Sequence, residues 1–286
     1  YFPTAHMVWG GAGGYFADLL GWRMTFVVLG IPGILLGIVI LLTVREPRRG
    51  TFAEPGTATG EGDDLVTTLL SLARNAVYVR VALANALAII VAYAFSIWMA
   101  PILLRNFDLS TTEVGFYLGL AFIFGGVPGL LLGGWMADYF AKWDLRWRAW
   151  LCAMALPLAL PVLCLSLILE DFMPVLVAYA LGYGLLVFTQ GPALSVLQSS
   201  VLPAQRALAT SLAFLLTNIL GQAVGSLLVG SMSDSFSQEY GTQSLNYAVI
   251  VLSIFATIPA VLAYIWTGSA LGKSEETPGE TQVTTN

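Results

Sequence analysis

Long apolar runs alternate along the chain with short polar or charged connections. A helix needs about 20 apolar residues to cross the hydrocarbon core of a bilayer. The runs that reach or exceed this length cover 24–44, 78–104, 112–136, 149–169, 173–201, 206–232 and 244–267, and a shorter run covers 4–20. The pattern predicts an all-α membrane protein built as a helical bundle.

A polar stretch interrupts this pattern once. Residues 50–64 are small, polar and acidic, so we expect a disordered linker there. Leu65, Leu69 and Leu72 then share one face of a short helix that continues to about residue 75. This spacing predicts an amphipathic helix that lies on the membrane surface.

The composition excludes several classes of protein. Only 10% of the residues are charged and 57% are hydrophobic, whereas a soluble domain is about 25% charged. The few basic residues lie mostly between the apolar runs, which argues against a nucleic-acid partner. His6, Cys152 and Cys164 are too few and too far apart for a metal site. The sequence offers no nucleophile–base pair and no phosphate-binding loop, so we predict no enzyme, no catalytic residue, no bound metal and no cofactor.

The basic residues predict how the bundle is oriented. One set of connections carries most of them: Arg45, Arg48, Arg49, Arg74, Lys142, Arg146, Arg148, Arg206 and Lys273. The opposite set carries Arg23 and Arg105 among several acidic residues. The positive-inside rule places the first set in the cytoplasm. We therefore expect a multi-pass protein of the plasma (cell inner) membrane with a cytoplasmic C-terminus.

The stretch at 125–148 carries the most specific motif. Gly134, Ala137, Asp138 and Lys142 fall in the register Gly-x-Leu-Ala-Asp-Arg-x-Gly-Arg, with Tyr139 in place of the Arg and Ala141 in place of the second Gly. The chain thereby resembles the major facilitator superfamily. The following segment 144–147 resembles the extension of its spinster-like branch. Segments 21–50 and 203–234 resemble the junction of the fifth and sixth spans and the eleventh span of that family.

The resemblance runs from the late fifth span of the family to its C-terminus. It implies four regions. The first, 1–44, is the end of the N-terminal bundle, with a partial fifth span and the sixth span. Residues 45–77 form the cytoplasmic central loop with its amphipathic helix, 78–267 form the C-terminal six-helix bundle, and 268–286 form a disordered cytoplasmic tail. We expect a chain that lacks the first four spans.

The resemblance also implies a cytoplasmic gate formed by Gly134, Ala137, Asp138, Lys142 and Arg146. A carboxylate at the position of Asp138 can cap a neighbouring helix and pair with a base such as Lys142. The alternative is a solvated loop charge. Gly125, Gly129 and Gly133 are spaced for close helix packing in the preceding span. They serve either static packing or a helix that moves against its neighbour.

Polar side chains inside the spans are costly in lipid, so they tend to face a cavity. We predict that these residues line a substrate pathway: Asn85, Tyr93, Ser96, Tyr179, Tyr183, Gln190, Thr217, Asn218 and Gln222. Hydrogen bonding between helices is the open alternative.

Two functions remain from the sequence. The first is a secondary active transporter that moves a small organic solute, amphiphilic or lipid-like, by alternating access, with a coupling proton or sodium ion left open. The alternative is a non-transporting membrane protein: a sensor, a partner subunit or an inactive truncated carrier. The lipid bilayer is a partner in both.

Overall fold

The computed structural model describes residues 4–44 and 65–275. Within these ranges the chain is helical and contains no strand, which confirms the predicted all-α fold class. Six helical stretches are long and apolar enough to cross a membrane: Arg23–Thr43, Ala76–Asn106, Thr111–Phe140, Arg146–Ile168, Phe172–Ser199 and Pro203–Leu271.

The helices follow one another with short connections. Their bounds are α1 Thr4–Thr43, α2 Leu65–Arg74, α3 Ala76–Asn106, α4 Thr111–Ala121, α5 Val127–Phe140, α6 Arg146–Ile168, α7 Phe172–Phe188, α8 Gln190–Ser199, α9 Arg206–Thr217, α10 Ser226–Tyr240 and α11 Ser244–Glu275. Gly21, at φ 74°, breaks α1 into two parts. Gly241, at φ 52°, ends α10, so α10 and α11 run as separate rods.

Local sequence signals explain where these helices begin. The Asn75 side chain caps α3 by accepting hydrogen bonds from the N–H groups of Val77 and Tyr78. Ser110 and Glu113 cap α4 reciprocally, which satisfies backbone donors that would otherwise be unpaired. Both helices therefore start at fixed residues, and these starts fix the position of each side chain along the helix axis.

The rods alternate in direction, and contacts at each end show this. The Asn75 amide donates to the Ser200 carbonyl at 2.7 Å, and the Tyr78 hydroxyl donates to the Ala209 carbonyl at 2.9 Å. At the opposite end, the rings of Phe107 and Phe172 meet edge to face at 5.4 Å. We call the end that contains Asn75, Ser200 and the 141–145 turn the basic end of the bundle.

The bundle core is apolar and its outer faces are apolar as well. Val81, Met99 and Leu163 are fully buried, whereas Leu158 and Leu262 are 61% and 62% exposed on the outside. An apolar exterior on helices of this length is typical of contact with lipid.

The first helix, α1, packs along α4.

Two π-helical turns interrupt the rods, at Phe122–Gly126 between α4 and α5 and at Asn218–Gly225 between α9 and α10. In the first, the Val127 N–H bonds to the Phe122 carbonyl, five residues earlier. Pro128 follows and has no N–H of its own to continue the regular pattern. π-helical turns often occur at functional sites.

Two predicted regions differ from the structure. α11 continues to Glu275, so residues 268–275, predicted as part of a disordered tail, are helical. Polar residues such as Ser269 do not end the helix, because its hydroxyl bonds to the Ile265 carbonyl at 3.0 Å. In α2 the buried side chains are Thr68 and Leu72, while Leu65 is exposed. The predicted linker 50–64 and residues 276–286 lie outside the described residues.

Candidate functional site

A small cavity with a mostly apolar wall lies between α3, α5, α8 and α9. Its volume is about 70 Å³, and Asn85, Gln190 and Thr210 contribute its polar groups. Asn85 is 8% exposed. Neither its Oδ1 atom nor the Thr210 hydroxyl has a hydrogen-bond partner in the described protein. A cavity of this size has room for a water molecule, and these three side chains offer it hydrogen-bond partners.

A second set of polar groups continues from this cavity along α3. The Tyr93 hydroxyl donates to Oδ1 of Asn218 at 3.3 Å. The Asn218 amide donates to the Phe214 carbonyl one turn earlier at 2.7 Å. Tyr183, on α7, approaches Ser96 and Tyr93. We call Tyr93, Ser96, Tyr183, Asn218 and Gln222 the polar tract.

The π-helical turn determines how α9–α10 presents its part of the tract. Asn218 and Gln222 are both exposed on the surface of the bundle, within an otherwise apolar rod. Gly221, between them, lies against the Tyr93 ring: a Cβ atom there would come within 2.7 Å of Tyr93 Cδ2. Amide side chains at this depth are costly in lipid and tend to face water or protein.

Not every residue predicted for the pathway faces it. Tyr179 is 0% exposed and stacks on Tyr183, with ring centroids 5.5 Å apart. Thr217 is 1% exposed, and its hydroxyl bonds to the Phe214 carbonyl. Both lie in the core of the bundle. Thr210 was absent from the predicted set, although a threonine in an apolar span is itself a signal.

The glycines of α4–α5 bring that rod into backbone contact with α7. A Cβ atom on Gly125, Gly129 or Gly133 would overlap a backbone carbonyl group of α7. The carbonyls that they meet belong to Ala180, Gly184 and Phe188. Gly134, in contrast, has open space where its Cβ atom would lie. The spacing by four residues therefore produces close packing along one face.

The loop motif places its charges around the 141–145 turn. The described partner of Asp138 is Arg148, with Oδ1 and Nη2 3.8 Å apart, rather than Lys142. Asp144 accepts a hydrogen bond from the Arg146 backbone N–H at 2.7 Å, which fixes the start of α6. Ala137 is 1% exposed and Lys142 is exposed.

The positions of Asp138 and Arg148 are unfavourable for the helices that carry them. Asp138 lies in the last turn of α5 and Arg148 in the first turn of α6. Acidic groups are stabilising at helix N-termini and basic groups at C-termini, and here the order is reversed. Local helix stability therefore does not account for this pair.

Aromatic side chains surround the same turn. Trp135 stacks on Tyr139, with ring centroids 5.5 Å apart, and Tyr139 contacts Trp143 edge to face. Trp135 and Trp143 are 63% and 68% exposed. Exposed Trp and Tyr side chains are enriched where a membrane protein meets the lipid head groups. An exposed aromatic cluster at the basic end is therefore of the kind found at a membrane boundary.

Comparison with known proteins decides the family. Residues 4–225 match the Major Facilitator Superfamily. The chain belongs to this superfamily. The spinster-like branch that the loop motif indicates is confirmed as well.

Three relatives illustrate the match. An MFS-type efflux pump of Mycolicibacterium smegmatis is 32% identical over 258 residues, which cover 90% of this chain and 58% of that protein. The sphingosine-1-phosphate transporter SPNS2 of Danio rerio is 24% identical over 249 residues, 80% of this chain and 49% of that protein. The crystal structure of a bacterial homolog to the human lysosomal transporter Spinster, inward-facing and unoccupied, has a TM-score of 0.73 at 20% identity. The match covers 95% of this chain and 68% of the solved chain.

The solved structure supports the fold alone at that identity. The chain spans about half the length of the curated relatives it matches, 58% and 49% in the two cases above.

Proposed function

We propose that this chain works within a secondary active transporter that moves a small organic solute by alternating access. The family and the transporter names of the relatives support this proposal. The observation that carries it is the exposed pair Asn218 and Gln222, of which Asn218 is hydrogen-bonded to Tyr93 of α3. Amide groups exposed at mid-span are best explained by a wet pathway on that face of the bundle.

The chemistry of the pathway favours an uncharged or weakly charged part of the solute. The segments that carry the cavity and the tract are 85–96, 179–190 and 210–222, and none contains a charged residue. They offer amide and hydroxyl groups among aromatic rings. Such a surface suits an amphiphilic molecule with hydrogen-bonding groups better than a bare inorganic ion. The printed names of two relatives, an efflux pump and a sphingosine-1-phosphate transporter, agree with an organic solute.

The basic end supplies the gate in this proposal. The Asp138–Arg148 pair joins α5 to α6 at the point where α5 meets the membrane surface. The Asp138 side chain is 78% exposed, so the pair contributes roughly 0–1 kcal/mol and breaks at low cost. Gly134, Ala137, Lys142 and Arg146 complete the proposed gate. We place this end in the cytoplasm of a plasma-membrane protein, on the positive-inside rule.

The test is transport by the complete protein in proteoliposomes, with a panel of fluorescent amphiphiles of positive, negative and zwitterionic charge. We expect flux of at least one class by the wild type. A neutral hydrogen bond contributes about 0.5–1.5 kcal/mol, so Asn218→Ala should raise the half-saturating concentration by roughly 2- to 12-fold.

Ser231→Ala is the matched control. Ser231 is exposed on the same rod, and its hydroxyl bonds to its own helix at the Leu228 carbonyl. We expect this variant to transport like the wild type. Equal transport by wild type, Asn218→Ala and Gln222→Ala would show that the solute does not use this face.

A further inference from the structure

Arg80 is one of the two charged residues of α3, and the proposed pathway does not use it. It lies four residues after the helix begins at Ala76, which is about 6 Å along the axis. Its neighbours Val79 and Val81 are apolar. A charge inside an apolar span is costly unless it is paired or reaches the membrane surface.

Within the described residues, Arg80 makes one specific contact. Its guanidinium carbon lies 4.0 Å from the centroid of the Trp266 ring, on α11. No described carboxylate lies within ion-pair distance of Arg80, and no described acceptor hydrogen-bonds to it. A guanidinium that stacks on an aromatic face keeps its N–H donors, which point outward in its own plane.

The surroundings of this pair are apolar and exposed. Trp266 is 60% exposed, and Leu262, one turn away on α11, is 62% exposed. Leu83, one turn along α3 from Arg80, is 46% exposed. The site lies toward the basic end of the bundle, since Asn75 and the start of α3 are there. A positive charge therefore lies near the depth of the head groups, with apolar side chains one turn deeper.

We propose that Arg80 and Trp266 form a binding site for the phosphate of an anionic phospholipid, with an acyl chain along Leu83 and Leu262. The planar guanidinium fork matches the oxygens of a phosphate group. A lipid satisfies both halves of the site at once, because its phosphate pairs with Arg80 and its chain covers the exposed leucines. A soluble anion would pair with Arg80 and leave that apolar surface to other lipids.

The experiment compares apparent melting temperatures of the complete protein in nanodiscs of phosphatidylcholine alone and of phosphatidylcholine with phosphatidylglycerol. We expect phosphatidylglycerol to raise the wild-type Tm by about 2–4 °C, the size of shift that a single charge-assisted contact produces. Arg80→Gln should lose this rise. The matched control is Arg105→Gln, at the other end of α3, which should keep it.

Two outcomes would overturn the proposal. One is an equal rise in wild type and Arg80→Gln. The other is an equal rise when inorganic phosphate is added to phosphatidylcholine nanodiscs, since the site would then take a soluble anion.

If Arg80→Gln does not fold, Arg80→Lys replaces it and native mass spectrometry supplies the readout. Lysine keeps the charge and loses the fork, so it should retain less phosphatidylglycerol than the wild type. Equal retention of phosphatidylglycerol and phosphatidylcholine by the wild type would contradict the proposal.

Discussion

At the scale of single residues, two buried asparagines show how an apolar bundle treats an amide. Asn246, on α11, donates to the Leu167 carbonyl at 3.0 Å and so completes a hydrogen bond at the end of α6. Asn85, on α3, is buried to the same degree, yet its Oδ1 atom has no hydrogen-bond partner in the described protein, and the residue lines the small cavity. A buried amide without a partner costs stability. We infer that Asn246 stabilises the bundle, and we propose that Asn85 serves transport.

Replacing each asparagine with leucine should separate these roles. Asn85→Leu removes an unpaired group, so we expect an unchanged or higher melting temperature together with reduced transport. Asn246→Leu leaves the Leu167 carbonyl unpaired and should cost about 1–3 kcal/mol. Thermal unfolding of the purified protein and flux in proteoliposomes give the two readouts. A fall in stability of equal size in both variants would contradict the assignment of Asn85.

At the scale of helices, the contact between α5 and α7 depends on the absence of side chains. Gly129 and Gly133 face α7 carbonyls, whereas Gly134 faces open space one position later. Backbones that meet in this way can approach closely, and a smooth surface between them also permits one helix to slide on the other. The glycines produce close packing here, and the alternating access that we propose would use the same surface for motion.

Replacing Gly129 and Gly134 with alanine should change the stability of the protein differently. Gly129→Ala forces the two helices apart, so we expect a loss of about 1–3 kcal/mol and a fall of several degrees in the apparent melting temperature. Gly134→Ala meets no neighbour and gains helix propensity, so its stability should be unchanged or slightly higher. Melting curves of the two variants in detergent provide the comparison. Similar losses in both would show that the α5–α7 contact is not limited by backbone approach.

At the scale of the whole molecule, the lengths of the apolar runs predict most of the spans. The spans follow from the lengths of the apolar runs, and the motif follows from residue spacing. It is harder to predict which side chains of a span face the core, because a predicted helical stripe assumes regular α-helical turns throughout the span. The stripe did not separate Thr217, which is buried, from its neighbour Asn218, which is exposed and begins the π-helical turn at Asn218–Gly225.

The partner of Asp138 shows the same limit. Lys142 is near in sequence, but the 141–145 turn brings Arg148 closer in space. A turn of that kind depends on the packing of α5 against α6, which no local pattern specifies. The helical state of 268–275 likewise depends on hydrogen bonds within α11 rather than on polarity.

The central claim is alternating access, and counterflow tests it most directly. Proteoliposomes that contain the complete protein are loaded with an unlabelled transported amphiphile and diluted into buffer with a trace of the labelled compound. An alternating carrier predicts that label accumulates inside transiently, above its outside concentration, and then leaks away. Label that only equilibrates, at the same rate with or without the internal load, would contradict the account.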